Sequence, residues 1–275
     1  MRPLLLILLT WAACFGGPPT RIVSQAVGTD ELLLAVADPA QIAALSHISR
    51  SEEFSATWKE AAAFSQLRGG DAEDILRFRP DLVLMTSYSR PELVAQVRRT
   101  GVKVCYIDRF ESLEDAFAAL RLVAKDVGHP ERAEALIQQC RLRVTSLSAK
   151  LKGLKPVRVL APSTYGYTAG SDTTFQDLCD HAGALNVAAE AGLKGHAPTP
   201  GEQVLGWRVE VMVVTGASCA EGLSPYRSLT PWRLLAPVQQ GRCALLPRNL
   251  ISSVTHHRIE AYERLARQLH PEAFR

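Results

Sequence analysis

The sequence predicts an α/β fold of two Rossmann-like lobes, joined by one long rigid α-helix, with a ligand groove between the lobes. Apolar strand-like runs alternate with helical segments in both halves of the chain. A long helical stretch separates these halves. One phrase also occurs twice, as "GGDAEDILRFRPDLVLMT" (residues 69–86) and as "TPGEQVLGWRVEVMVVT" (residues 199–215), so that Glu73 matches Glu202, 129 positions later.

The first half has the pattern of a parallel sheet. "RIVS" (residues 21–24) is predicted to be a strand, followed by a helix through "ELLLAVA" that begins at Thr29 or Asp30. The next strands are "QIAAL", "DLVLMT" and "VKVCYID", and helices are expected at residues 71–78 and 90–101. Because the strands are continuously apolar, both faces of the sheet should be covered.

The middle of the chain predicts two consecutive helices. "SLEDAFAALRLVAKDVG" starts with a capping box, Ser112 and Asp115, and ends at Gly128. Pro130 then opens a helix with a single apolar stripe up to Leu154. Roughly 24 residues at about 1.5 Å each form a rod of about 36 Å, long enough to brace two lobes.

The second half repeats the pattern of the first. The predicted strands are "VRVLAPS", "VEVMVVTG" and "GRCALLP", and the predicted helices are "TFQDLCDHAG", "GEQVLGW", "TPWRLLAPVQ" and "HRIEAYERLARQLH". We therefore divide the mature chain into an amino-terminal lobe (residues 20–128), a linking helix (129–154) and a carboxy-terminal lobe (155–275).

The amino terminus has the composition of an export signal. "MRPLLLILLTWAAC" combines a short basic start, an apolar run and small residues, and it is too short to span a bilayer as a stable helix. Residues 1–19 are therefore predicted to be a signal peptide and the mature protein to be periplasmic. Lipidation of Cys14 and ordinary cleavage near residues 17–20 both remain open.

Composition and cysteine usage limit the function further. A net charge of +3 with scattered Lys and Arg gives no electrostatic support for binding nucleic acid. No phosphate-binding loop, zinc-protease motif or nucleophile elbow is present, so we predict no enzyme activity, no catalytic residue and no resident cofactor. The cysteines are expected to be buried thiols, with one disulfide at most among Cys179, Cys219 and Cys243, whereas Cys105 and Cys140 fall within apolar patterns.

The residues that follow the strands are the candidate ligand-binding side chains, because α/β proteins bind small ligands beyond the carboxyl ends of parallel strands. Tyrosines, histidines and an arginine suit a flat or conjugated anionic ligand through stacking, hydrogen bonds and charge. The candidates are Thr86, Tyr88, Arg90, Tyr167, His196 and His256. A metal site could instead assemble from His47, His196, His256, His257 and Asp172, although their spacing is not that of metal ligands.

Glu73 and Glu202 form a matched pair, one in each lobe. Each lies in the first turn of a predicted short helix, where a carboxylate complements the helix dipole, and this local effect explains either residue alone. Together they form two anionic posts at a fixed separation. Such a pair suits basic sockets on a two-fold symmetric partner.

Taken together, these segments resemble the helical-backbone class of periplasmic substrate-binding proteins of ABC transporters, which carry cobalamin, ferric siderophores and haem. The resemblance extends from about residue 21 to residue 274. It is carried by "RIVSQAVGTDELLLAVA", "AEDILRFRPDLVLMTSY", "YTAGSDTTFQDLCDHAGALNVAAE", "GEQVLGWRVEVMVV" and "ALLPRNLISSVTHHRIEAYERLARQLHPE". It implies little hinge closure, a ligand in the groove, and salt bridges from Glu73 and Glu202 to arginines of a permease dimer.

The resemblance leaves the ligand open. Thr86 and His196 stand where the cobalamin binder has tryptophans, which argues against cobalamin, whereas tyrosines and a histidine can ligate haem iron or face a ferric chelate. We expect a monomeric receptor for a metal chelate, with a ferric siderophore first, a corrinoid second and haem third. The alternatives from other classes are a zinc-dependent enzyme using His196, His256 and His257, and a receptor for bare zinc or manganese.

Overall fold

The computed structural model describes residues 17–275 as two α/β lobes and a linking helix. Cys14 and nearly all of the predicted signal peptide lie outside these residues. In the part of the chain that is described, no helix is long and apolar enough to cross a membrane.

The amino-terminal lobe is built on four short parallel strands. These are β1 (Ile22–Ser24), β2 (Ile42–Ala44), β3 (Leu82–Thr86) and β4 (Lys103–Ile107). They lie in the order β2-β1-β3-β4, and β3 is buried along its whole length. The helices of this lobe are α1 (Val27–Val36), α2 (Trp58–Ala61), α3 (Ala72–Leu76), α4 (Pro91–Arg99) and α5 (Leu113–Val127), with a 3₁₀ turn at Pro39–Gln41.

Helix α1 begins earlier than the sequence predicts. Neither Thr29 nor Asp30 is its cap, because the helix already starts at Val27. Thr29 occupies the third helical position, and its hydroxyl donates back to the carbonyl oxygen of Ala26 at 2.7 Å. A threonine side chain therefore closes the first turn from within the helix.

The linking helix, α6 (Pro130–Leu151), contains 22 residues and is about 33 Å long. At its start, Arg132 donates to the carbonyl oxygen of Val36 at the end of α1, 3.0 Å away. At its end, Leu151 lies close to Gly183, the residue that caps the carboxyl end of the helix at Thr174–Ala182 in the carboxy-terminal lobe. The predicted extension to Leu154 is wrong, because Lys152 leaves helical geometry with a ψ of 124°.

The carboxy-terminal lobe repeats the sheet of the first. Its strands are β5 (Val157–Leu160), β6 (Tyr167–Ala169), β7 (Ala184–Asn186), β8 (His196–Pro198), β9 (Val211–Val214) and β10 (Cys243–Leu245). Four of them are parallel in the order β7-β5-β9-β10, which is the order of the first sheet counted from each lobe's first strand. The remaining two, β6 and β8, form a separate antiparallel pair.

The helices of this lobe surround its sheet. They are α7 (Thr174–Ala182), α8 (Val187–Glu190), α9 (Cys219–Leu223), α10 (Ala236–Gln240), α11 (Arg248–Ile251) and α12 (Arg258–Leu269). Four segments are 3₁₀ helices: Gly201–Gly206, Ser224–Arg227, Trp232–Leu234 and Pro271–Phe274.

Two predicted helices of this lobe differ in the structure. "GEQVLGW" forms a 3₁₀ helix, and "TPWRLLAPVQ" is interrupted at Leu235, which is extended. Helix α10 starts directly after this break, because Pro237 lacks an N–H and fits only in a first turn. The sequence did not predict strand β7, helix α8 or the antiparallel pair of β6 and β8.

The repeated phrase occupies the same place in each lobe. Leu82 of β3 pairs with Ile22 of β1, and its counterpart Val211 of β9 pairs with Val159 of β5. Both copies therefore lead into the strand beside the first strand of their sheet. The prediction of an α/β fold with two Rossmann-like lobes is confirmed.

A single disulfide lies within residues 17–275. It joins Cys219 at the start of α9 to Cys243 of β10, 24 positions later. Cys105, Cys140 and Cys179 are free and buried. The predicted pattern of buried thiols with one disulfide is confirmed.

A buried ion pair ties the two lobes together. Arg258 of α12 lies 3.0 Å from Asp177 of α7, and the two side chains are only 3% and 9% exposed. Arg258 also donates to the carbonyl oxygen of Phe110 at 2.7 Å, and Asp177 accepts the backbone N–H of Leu113 at 2.9 Å. Side chains of the second lobe thus satisfy backbone groups between β4 and α5.

A second seam joins α1 to the segment before α12. The buried carboxylate of Glu31 accepts the N–H of Ala56 at 2.9 Å and the hydroxyl of Thr255 at 2.5 Å. Burial raises the pKa of Glu31 to about 7, against the opposing effect of these two hydrogen bonds. A Cβ atom on Gly28 would come within 2.6 Å of Val254, so the close approach of the lobes requires glycine there.

We expect Asp177→Asn to lower the free energy of unfolding by about 3–5 kcal/mol, because it leaves the Arg258 charge buried without its counter-ion. Urea unfolding followed by circular dichroism measures this loss. The control is Arg121→Ala, which removes an ion pair with Glu134 whose side chains are 41% and 52% exposed, and which should cost about 0–1 kcal/mol. Equal losses in the two variants would contradict a special role for the buried pair.

Candidate functional site

A cleft of about 1160 Å³ lies between the lobes, at the carboxyl ends of the parallel strands. Residues 51–53 line it from the amino-terminal lobe, and the segments that follow β5, β9 and β10 line it from the other lobe. None of the six predicted ligand-binding side chains lines this cleft directly. The lining side chains that the sequence did not single out include Glu52, Glu53, Glu221, Tyr226 and Arg248.

One side of the cleft is bridged by contacts between the lobes. The side-chain amide of Asn249 donates to the carbonyl oxygens of Glu52 at 3.1 Å and Ser55 at 3.2 Å. Next to it, Arg248 pairs with Glu53 at 3.1 Å, but both side chains are more than half exposed. The two hydrogen bonds of Asn249 therefore stabilise this contact between the lobes more than the solvent-screened ion pair does.

Tyr88 stands on a tightly bonded loop after β3. Its ring is 73% exposed and stacks on the buried ring of Phe110, with centroids 5.2 Å apart. The Thr86 hydroxyl accepts the Tyr88 N–H at 3.2 Å, and the Ser89 hydroxyl donates to the Gln25 side chain at 2.6 Å. The loop thus presents a phenol on a fixed backbone, with an apolar face and a polar tip.

Thr86 and Arg90, at the two ends of this loop, differ in accessibility. Thr86 is only 2% exposed and its hydroxyl is used inside the loop, so we correct its predicted role from ligand contact to loop support. Arg90 is exposed immediately before α4. Its guanidinium forms no ion pair with any residue of the described range, which leaves its charge free for an anionic group.

The antiparallel pair of β6 and β8 brings Tyr167 and His196 to one face. Ala169 is the register partner of His196, and Tyr167 lies two residues before Ala169, so all three side chains share that face. Both Tyr167 and His196 are exposed. The other face is anchored by buried Thr168, whose hydroxyl lies 2.8 Å from that of Thr199.

His256 is the sixth predicted side chain, and its role in ligand binding stays a prediction. It is half-buried next to His257, and the two ring centroids are 4.2 Å apart. Burial first, then His257 and Arg143 of the linking helix, lower the pKa of His256 to about 3. The linking helix thus contributes one nearby charge, that of Arg143, to the surroundings of this ring.

The histidines do not converge into a metal site. Within residues 17–275, no group of three His, Cys, Asp or Glu side chains could hold a metal ion. The predicted alternatives of a zinc-dependent enzyme and of a receptor for bare zinc or manganese therefore have no ligand set in this range. The structure does not bring together the five residues that the sequence offered as metal ligands, which are His47, His196, His256, His257 and Asp172.

Glu73 is exposed in the first turn of α3, where the sequence predicts it. The amino end of this helix lies near the carboxyl end of β1. A Cβ atom on Gly70 would come within 3.5 Å of the side chain of Gln25, which directly follows β1. The carboxylate therefore stands on the side of the lobe from which the cleft opens.

Glu202 has the equivalent place in the second lobe. It is exposed in the first turn of the 3₁₀ helix Gly201–Gly206. Just before that helix, the N–H of Thr199 donates to the carbonyl oxygen of Gly166, in the loop after β5, at 2.8 Å. Both acids thus stand at the carboxyl edge of their sheets, on the same side as the cleft.

A protein-family model described as a periplasmic binding protein matches residues 22–234. The chain belongs to the periplasmic binding protein family. Membership identifies a binding protein and not an enzyme, as the sequence predicted.

Individual relatives of this binding protein are distant. The cobalamin-binding protein of Halobacterium salinarum is 26% identical over 194 residues, which cover 68% of this chain and 50% of that protein. The chain therefore spans about half the length of that relative.

Solved structures match over nearly the whole chain. The periplasmic haem-binding protein of Roseiflexus sp. RS-1 has a TM-score of 0.76 at 22% identity, covering 92% of this chain and 98% of its own. A possible iron-binding periplasmic solute-binding protein of Staphylococcus epidermidis has a TM-score of 0.76 at 19% identity, covering 91% and 98%. At these identities the likeness establishes the fold alone.

We expect the ring signals of His256 not to titrate between pH 8 and pH 5, because burial holds the pKa of this imidazole at about 3. Nuclear magnetic resonance measures this, and a His256→Gln variant assigns the signals. Since the folded pKa lies below the ordinary value of about 6.5, His256 lowers the stability of the folded state progressively as the pH falls from 6.5 towards 3. A titration midpoint between pH 5 and pH 7 would contradict the buried position.

Proposed function

We propose that this binding protein captures a metal chelate in the periplasm and delivers it to an ABC importer in the inner membrane. The observation that carries the proposal is the set of exposed tyrosines in both lobes, on the loops after β3 and β5 and on strand β6. Tyr88 belongs to the first lobe and Tyr165 and Tyr167 to the second, and Tyr165 directly follows Thr164, which lines the cleft.

An iron complex, and first a ferric siderophore, is the chelate that these side chains suit best. Phenol rings stack on conjugated chelating groups, and their hydroxyls bond to the oxygen atoms of such groups. Arg90 adds a positive charge for an anionic complex. The three tryptophans in the described range, Trp58, Trp207 and Trp232, are half-buried or buried. The exposed aromatic surface therefore consists of tyrosines and of Phe54, which is 43% exposed.

The names of related proteins support two other metal chelates as ligands. A corrinoid is the second candidate, because the Halobacterium relative is a cobalamin-binding protein. Haem is the third, because the Roseiflexus structure is that of a haem-binding protein. Tyr167 and His196 are both side chains that ligate haem iron in proteins.

Glu73 and Glu202 are proposed to dock the loaded protein on the permease. Two exposed carboxylates, one at the same edge of each lobe, suit two identical basic sockets of a two-fold permease dimer. The binding protein itself is proposed to act as a monomer, since one copy already presents both acids. Export by the signal peptide of residues 1–19, with or without a lipid on Cys14, brings it to the periplasm.

We expect tryptophan-quenching titration to show saturable binding of a ferric siderophore. The panel contains a hydroxamate and a catecholate ferric siderophore, haem and cyanocobalamin. Tyr88→Ala should weaken binding by up to about tenfold, because a stacked aromatic pair contributes about 0.5–1.5 kcal/mol. The control is Leu142→Ala, which changes an exposed side chain on the linking helix. Binding of cyanocobalamin alone would favour the corrinoid, and no binding of any of the four would contradict a chelate receptor.

We expect Glu73→Ala combined with Glu202→Ala to leave chelate affinity intact and to abolish uptake, since only docking is lost. Titration of the purified variant and uptake of the chelate by cells that lack the native protein measure the two effects. The control is Glu131→Ala with Glu272→Ala, which removes one exposed acid at the start of α6 and one after α12. Unchanged uptake in the first variant would exclude docking through these glutamates.

A further inference from the structure

In each lobe, the guanidinium group of one arginine donates hydrogen bonds to the backbone at the end of the short helix that carries the exposed glutamate. We call this set of hydrogen bonds the arginine grip. Arg21, just before β1, donates to the carbonyl oxygen of Phe78 from Nη2 at 2.5 Å and from Nε at 3.0 Å. Arg158 of β5 donates from Nη2 to the carbonyl oxygen of Trp207 and from Nε to that of Arg208, each at 3.0 Å. Phe78 and Trp207 are counterparts in the repeated phrase, so the two grips act at equivalent places.

The backbone that follows each glutamate helix makes the same turn. Arg79 has a φ of 50° and its counterpart Arg208 a φ of 51°, the left-handed region that non-glycine residues rarely adopt. Such a conformation costs about 1–2 kcal/mol and persists only where the surroundings hold it. The guanidinium groups of Arg21 and Arg158, bound to carbonyl oxygens at this turn, supply that support.

The same two arginines are also fixed through their own backbones. The Asp81 carboxylate accepts the N–H of Arg21 at 3.0 Å, and the Asp81 N–H donates to the Arg21 carbonyl oxygen at 3.0 Å. The Glu210 carboxylate accepts the N–H of Arg158 at 2.8 Å, and the Glu210 N–H donates to the Arg158 carbonyl oxygen at 2.9 Å. Each arginine is therefore locked to the strand that the repeated phrase leads into.

The second lobe reinforces its copy. Arg158 also donates to Glu190 of α8, from Nη1 at 3.0 Å and from Nη2. Glu202 lies on a 3₁₀ helix, whose hydrogen bonds have poorer geometry than those of an α-helix. The additional partner compensates for the weaker helix on this side.

We propose that Arg21 and Arg158 are positioning residues that fix Glu73 and Glu202 relative to the two sheets. This inference rests on the proposed docking function. Only five positions separate Glu73 from Phe78, so a shift at the gripped end moves the carboxylate directly. Because Arg21 directly precedes β1 and Arg158 lies within β5, the first strand of each sheet, the separation of the two acids is set by the two sheets before any partner binds.

The hydrogen bonds of the arginine grip depend on the planar, forked geometry of the guanidinium group. Arginine offers several N–H donors in a planar arrangement and can bind one carbonyl oxygen twice or two neighbouring oxygens at once. Lysine keeps the positive charge near the carboxyl end of the helix, which the helix dipole favours. It has a single nitrogen, however, and cannot reproduce the fork, so Arg→Lys separates geometry from charge.

Pulsed electron spin resonance on the full chain tests the proposal without a ligand or a permease. Nitroxide labels on Glu73→Cys and Glu202→Cys, in a chain that also carries Cys14→Ser, report the separation of the two positions, since Cys105, Cys140 and Cys179 are buried. With both arginines present we expect one narrow distance distribution. Arg21→Lys with Arg158→Lys should broaden it and remove its single maximum. Arg121→Lys, at the exposed pair with Glu134, is the matched control and should leave it unchanged.

A distribution that stays narrow in the lysine variants overturns the proposal. The single variant Arg21→Lys, which perturbs one lobe only, gives the same test in milder form, and its urea midpoint should match that of Arg121→Lys. The two proposals can fail separately. If the lysine variants broaden the distribution but the variant with Glu73→Ala and Glu202→Ala still supports normal uptake, the docking proposal is excluded and the positioning role of the arginines stands.

Discussion

The buried pair of Arg258 and Asp177 is the constraint on which the site depends. Burying two charges is costly, and the cost is offset only where further hydrogen bonds satisfy them. Here the same two side chains bind the backbone on either side of the loop before α5, and Tyr262 donates its hydroxyl to Asp177. That loop carries Phe110, whose ring supports the exposed Tyr88. The ion pair of one lobe therefore determines where an aromatic platform of the other lobe stands.

The linking helix, the Arg258–Asp177 pair and the contact of Glu31 with Thr255 together oppose movement between the lobes. The helix is gripped at its start by Arg132, and near its middle Arg143 pairs with Glu263 of α12 at 3.0 Å. Opening the cleft would break these contacts and would also expose the carboxylate of Glu31 that binds Thr255. We expect a groove held in this way to bind by fitting its ligand rather than by closing around it. A partner that meets the two lobes from the cleft side then encounters one constant spacing.

Local sequence signals predicted the sheets and the paired glutamates, but not the side chains that shape the groove. Continuous apolar strands and the duplicated phrase are visible without any tertiary information. Thr86 and Tyr88 both follow the same strand, and only hydrogen bonds within the folded loop determine which one is exposed. The pKa of His256 is lowered in part by Arg143 of the linking helix, more than 100 positions earlier. The bond from Asn249 to Ser55 joins residues 194 positions apart, so no local pattern could indicate it.

The two lobes are alike at one surface and different at another. At the glutamate helices they share the arginine grip, the left-handed arginine and the acid that begins the next strand. In their exposed candidate side chains they diverge, because Tyr88 is supported by a stacked phenylalanine whereas Tyr167 and His196 stand on an antiparallel strand pair that has no counterpart in the first lobe. A two-fold partner requires two equal contacts, whereas a chelate without that symmetry requires two unequal walls. The duplication is therefore present where a symmetric partner would need it and absent where the ligand would be recognised.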